Sequence, residues 1–195
     1  MQVSVKRTDL KLKHPRVRKR LRPALLAAAL CCAPTESALA EDFPSRVDQL
    51  KAGYVLNFAK FVEWPAPASS DDLVICVAGN RGIYEALRTG TTTATVGSRR
   101  VAIRSVESAA SASGCHVLYL ELTSPVQPVS IEISAPILTV SDGSGFAHAG
   151  GTIELFTQQN RLRFIINLEN ARRAGLRISS SLLQLAVSVE GGDRR

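Results

Sequence analysis

Residues 141 to 151 read SDGSGFAHAGG, with four glycines, a histidine, an aspartate and two serines in eleven positions. Residues of these types at this density could cradle a phosphate, carry a nucleophile or bind an anion through backbone N–H groups. Each named motif fails at a definite position. A dinucleotide fingerprint that starts at Gly143 and Gly145 needs a third glycine where His148 stands. A Walker loop needs Gly-Lys-Ser/Thr, and no lysine is near. A nucleophile elbow around Ser144 needs glycine where Asp142 stands. Two readings remain. One is a small-molecule crevice formed by Ser141, Asp142, Gly143, Gly145 and Phe146, with the N–H groups of Gly143 and Gly145 as anion donors. The other is a glycine-rich turn that lets the chain leave one strand sharply and enter the next.

Other reactive residues form no local constellation. His116 and His148 are far apart, and no CxxC, HxxH or HExxH spacing occurs, so no metal site is expected. No serine or cysteine carries a local signature of nucleophilic catalysis beside a histidine. Asp71 and Asp72 form an acidic pair at a strand entrance, where carboxylates are usually solvated. Arg172, Arg173 and Arg177, with Leu176 among them, stand beside an amphipathic helix; they are a candidate partner interface or an ordinary solvated face.

The elements that must position these residues follow from periodicity. SRVDQLKAGYVLNFAKFVEWP repeats Val47, Leu50, Tyr54, Val55, Phe58, Phe61 and Val62 at helical spacing, and Pro65 and Pro67 stop it. DLVICVAGN, CHVLYLE and PILTVSD are short continuous apolar runs, which predict buried strands. RGIYEALRTG predicts a short helix closed by Gly90. TVGSRRVAIRSV alternates and predicts a strand with one wet face. SPVQPVSIEIS is ambiguous between helix and strand. TIELFTQQNRLRFIINL alternates on both sides of Gln159 and Asn160, which predicts a β-hairpin. ENARRAG predicts a helical turn closed by Gly175, and SSLLQLAVSV a final helix with Ser181 and Gln184 as its capping box. Together these predict a layered α/β sandwich: a mostly parallel central sheet flanked by helices, plus a C-terminal antiparallel hairpin.

Charge and cysteine usage place the chain. Nine Lys or Arg precede the apolar run Pro23 to Ala33, and Ala38-Leu39-Ala40 follows it. That order predicts a cleaved Sec-type signal peptide over 1–40, export to the periplasm, and one domain over 41–195. The chain is +7 overall, yet the segment after Ala40 has 15 basic and 15 acidic residues. The basic excess is therefore a targeting device, and nucleic acid is not an expected partner. No long apolar run follows Ala40, so no membrane insertion is expected after cleavage. Cys76 and Cys115 are the only cysteines after Ala40. An even pair in an oxidising compartment points to one disulfide, with two buried thiols as the alternative.

GYVLNFAKFVEWP, ICVAG, CHVLYL and above all ILTVSDGSGFAHAGGTIELF with NRLRFIINLENARRAGLRISSSLLQLA resemble the YfiR family over residues 47 to 188. The resemblance implies a periplasmic α/β regulator and not an enzyme. It would repress the external sensor domain of an inner-membrane diguanylate cyclase, or a related receptor such as a sensor kinase. Cyclic-di-GMP and biofilm formation would then fall. It also implies a homodimer, and it sets Cys76 and Cys115 where the family's N-terminal disulfide pair lies. A later cysteine pair of the family has no counterpart after Cys115. No cofactor is implied. The competing readings are a periplasmic small-molecule binding protein that uses the crevice at Ser141 to Phe146, and a hydrolase that uses His116 or His148.

Overall fold

The computed structural model of the chain describes residues 44–65, 72–122 and 135–192. The leader and the ambiguous segment 124–134 lie outside them. The first helix, α1 (Arg46–Lys60), begins where Ser45 accepts from the backbone N–H of Asp48 and the Asp48 carboxylate accepts from the Ser45 backbone. This reciprocal box satisfies two otherwise orphaned donors. A short strand, β1 (Val62–Glu63), follows. The central strand β2 (Asp72–Ala78) leads through α2 (Arg81–Gly90), capped by the Asn80 side chain, to β3 (Thr95–Val96) and β4 (Arg99–Val106). Then come β5 (Val117–Leu120), β6 (Leu138–Ser141), β7 (Ile153–Gln158) and β8 (Arg161–Asn167). The chain ends its described part with α3 (Leu168–Arg173), β9 (Arg177–Ile178), α4 (Ser180–Leu185) and β10 (Ser188–Glu190).

Among the described residues, one sheet runs in the order β10-β8-β7-β6-β5-β2-β4-β3. Pairing is antiparallel only at β3–β4 and β7–β8; the other pairs are parallel. The mostly parallel α/β sheet expected from alternating helical and apolar patterns is therefore present. So is the hairpin, whose turn residues Gln159 and Asn160 both have positive φ, the geometry that matches the twist of paired strands. The strands β5 and β6 are buried at every position, which explains the all-apolar sequence of β5; in β6 the buried Thr139 hydroxyl bonds Thr152, and Ser141 accepts the Gly143 N–H. A separate pair, β1 with β9, joins the end of α1 to the C-terminal part of the domain.

Two expectations need correction. SSLLQLAVSV is not one helix. The helix α4 ends at Leu185, its N-cap is Ser179 rather than Ser181, and Ser188–Glu190 pairs with β8 as an edge strand. β-branched Val187 and Val189, alternating with smaller residues, favour that strand. The apolar series on α1 also divides. Val55, Phe58 and Val62 are buried, whereas Val47, Leu50 and Phe61 are 55, 50 and 37 % exposed. Helical spacing finds apolar positions, but burial covers only the face that carries Ala52, Val55, Phe58 and Ala59.

Candidate functional site

The glycine-rich stretch leaves the C-terminal end of β6, where ligands commonly sit in open α/β sheets. Its donors are already engaged. The Glu154 side chain, on β7 in register with Ser141, is only 6 % exposed. One carboxylate oxygen accepts the Gly145 N–H at 3.1 Å, and the other accepts the Ala147 N–H at 3.1 Å. The Gly143 N–H donates to Ser141 Oγ at 3.0 Å. The anion that fills this cradle is thus a side chain of the protein. Phe146 is fully buried, and a Cβ placed on Gly151 would lie 2.2 Å from its ring. Gly151 is required for that close approach, not for a ligand. The Asn167 and Asn170 side chains donate to the carbonyls of Ala147 and Gly151, both at 2.9 Å, and hold the loop from the far side.

Asp142 faces another way. One of its oxygens pairs with the Lys51 ammonium of α1, and the other accepts the Tyr119 phenol at 2.9 Å. Tyr119 is fully buried; burial first, and then the Asp142 charge, push its pKa well above the usual phenol range. Next to this cluster lies the switch point of the sheet, because β2 has β4 on one side and β5 on the other. Gly79 there has φ +85°, the Asn80 amide donates to Glu121 at 2.8 Å, and a cavity of about 370 Å³ is lined by Gly79, Asn80, Arg81, Tyr84 and Ser105. The Gly-Asn that ends DLVICVAGN is the sequence feature that marks this crevice.

The histidines cannot serve one site. His116 precedes β5 at the N-terminal end of the parallel strands, while His148 follows β6 beyond their C-terminal end. His116 Nδ1 accepts the Val74 N–H at 3.1 Å, and Arg99 lies 2.7 Å from its Nε2. Burial and the Arg99 charge lower its pKa. His148 pairs with Glu190 of β10 at 3.1 Å. No cluster of three or more metal-ligating side chains occurs among the described residues.

Cys76 on β2 and Cys115, two residues before β5, form a disulfide with a Cα–Cα distance of 5.9 Å. It is buried in a second apolar cluster with Leu118, Leu120 and Phe146, so the same cluster supports the glycine loop. The arginine patch is dispersed. Arg173 bonds Asn170 and lies 3.9 Å from Glu169; Arg177 pairs with Glu63 at 3.7 Å. Leu176 is 2 % exposed and belongs to the core, so it presents no surface. Arg172 is exposed.

The exposed apolar surface lies elsewhere. Val47, Leu50, Phe61, Leu185, Val187 and Val189 are the large hydrophobic side chains exposed among the described residues. All belong to α1 and its end, or to the segment α4–β10. Between them a groove of about 630 Å³ is lined by Tyr54, Phe61, Leu162, Phe164, Leu182 and Leu185. Among the described residues no helix is long and apolar enough to cross a membrane.

A family described as YfiR/HmsC-like matches residues 48–187. No curated protein matches the chain. Among solved structures, the chain is similar to an ABC domain in complex with L-Trp from Streptococcus pneumoniae, at 13 % identity and a TM-score of 0.47. That alignment covers 71 % of this chain and 60 % of the other.

Proposed function

This chain belongs to the YfiR/HmsC-like family, and on that premise we propose that it is a periplasmic regulator of a membrane signalling protein. The finer reading is a repressor that binds the external sensor domain of an inner-membrane diguanylate cyclase, lowering cyclic-di-GMP and biofilm formation. The match over residues 48–187 carries this reading, since it spans nearly all of the domain. The geometry is compatible with it: the glycine loop is closed by Glu154, and the two histidines lie at opposite ends of the sheet. A regulator without chemistry must act by binding one receptor state more tightly than another. The test is intracellular cyclic-di-GMP in the native host, with the gene deleted and then restored with its leader. The deletion should raise cyclic-di-GMP and the restored gene should return it. Arg172→Ala with Arg173→Ala should leave the purified protein folded and weaken repression. An unchanged cyclic-di-GMP level on deletion would refute the cyclase reading.

A second reading, a small-molecule receptor, is favoured by one observation, the cavity of about 370 Å³ at the C-terminal ends of β2 and β4 beside the start of α2. A ligand retained through purification and lost on Asn80→Ala would support it.

A further inference from the structure

We propose that the groove between α1, β8 and α4 is a docking site for an acidic amphipathic helix of a partner protein. The inference rests on the regulatory reading for where that helix comes from, the external domain of the receptor. Its own basis is the shape and charge of the groove. Val47, Leu50, Tyr54 and Phe61 are spaced three, four and seven residues apart and share one face of α1. That stripe adjoins the buried face without being covered by it: Val47 and Leu50 are about half exposed. The Tyr54 hydroxyl donates to the Leu162 carbonyl at 3.1 Å, so the stripe is fastened to the start of β8. There the rings of Tyr54, Phe58 and Phe164 stack edge to face and form a rigid floor. Leu185, 64 % exposed, forms the opposite wall. An apolar stripe with a helical repeat beside a rigid aromatic floor fits a second helix laid into it.

Charge selects the occupant. Arg46 and Lys60, on the first and last turns of α1, lie along the outer side of the stripe, and Arg163 lines the groove. Among the described residues none of the three has a carboxylate within ion-pair distance. A second copy that set the stripe against itself would bring these like charges together, whether the two helices ran parallel or antiparallel. A helix with acidic residues flanking its apolar stripe instead meets opposite charge at both ends of α1.

The probe is a synthetic helical peptide of about five turns. It has leucine at i, i+3, i+4 and i+7 and glutamate at the flanking positions. The control is the same peptide with lysine for glutamate. Binding to the purified mature protein is read by fluorescence anisotropy. The glutamate peptide should bind roughly tenfold or more tighter than the lysine peptide. Its affinity should fall as salt rises from about 0.05 to 0.5 M. Lys60→Glu should reverse the preference, and Leu50→Ser with Leu185→Ser, both exposed positions, should abolish binding without changing the melting temperature. Equal affinity for the two peptides, or none for either, overturns the proposal. So does sedimentation showing a dimer that the two serine substitutions dissociate, because a second copy would then cover the face. If the glutamate peptide binds but cyclic-di-GMP does not respond to deletion, the groove assignment stands and the cyclase reading falls.

Discussion

Replacing Glu154 by alanine separates a structural loop from a binding loop. The Glu154 carboxylate is 6 % exposed and accepts two backbone N–H groups, from Gly145 and Ala147, each at 3.1 Å. A hydrogen bond to a charged group contributes about 1.5–3 kcal/mol, and leaving a buried donor unpaired costs a similar amount. Both bonds are lost together in Glu154→Ala, so the expected cost is about 3–6 kcal/mol. A domain of this size has a total stability of roughly 5–15 kcal/mol. At about 2–4 °C per kcal/mol, the melting temperature should fall by roughly 6–24 °C. Urea unfolding should show a lower midpoint with an unchanged slope, because the surface exposed on unfolding hardly changes. Acetate supplies the missing carboxylate and should restore part of the loss in Glu154→Ala while leaving the parent protein unaffected. Glu154→Gln keeps one acceptor oxygen and should fall between the two. A melting temperature for Glu154→Ala within a degree of the parent would refute the claim that this carboxylate closes the loop. Equal effects of acetate on both proteins would refute the proposed vacancy.

Two further predictions concern the disulfide and pH. Replacing Cys76 and Cys115 together by alanine opens a loop with a sequence separation of 39. The chain-entropy estimate is then about 4 kcal/mol of lost stability, measured by urea unfolding of the variant against the oxidised parent. Because burial and the Arg99 charge lower the pKa of His116 below the ordinary imidazole value of about 6.5, the unfolded chain takes up a proton first as pH falls. The stability tied to His116 should be complete above that value and decline below it, and His116→Asn should flatten the decline. Tyr119 has the opposite sign: burial and the Asp142 charge raise its pKa above the ordinary phenol value of about 10, so its contribution is complete below that pH and is lost above it, a limb that Tyr119→Phe should remove.

The sequence revealed the elements that repeat cleanly. The mainly apolar runs of β2, β5 and β6 and the alternation around Gln159-Asn160 each follow from burial on two faces or one. It did not reveal which apolar residues of α1 would be covered. Helical spacing is the same for Phe58, which is buried, and Leu50, which is not. Phe58 is covered by Phe164 of β8 and the core cluster, a tertiary contact that spacing does not report. The glycine-rich stretch is ambiguous in sequence for a related reason. Glycines mark backbone freedom, and freedom is needed equally by a ligand cradle and by a loop that wraps its own Glu154 and Phe146. The partner of a backbone N–H is set by tertiary register, here Ser141 opposite Glu154, which no local pattern reports. Leu176 stands among arginines in sequence, which suggests a surface position, but it reaches into the core.

The pairing of β1 with β9 and of β10 with β8 has a consequence for biogenesis. A ribosome delivers the chain from its N-terminus, and domains often start to fold as they emerge. Here α1 and β1 come early, whereas β9, Leu182 and β10 come more than one hundred residues later. Until they arrive, Val62 lacks its cross-strand partner Ile178, and the last three residues of β8 lack β10. The core cluster contains Val55, Phe58 and Leu182 together, so it cannot close on a partial chain. A nascent chain halted before Arg177 could pack α1 on α2 and Phe164, but it would lack Leu182 in the core and Ile178 beside Val62. The last strand pairings and the closing of the core therefore wait for the final residues of the domain.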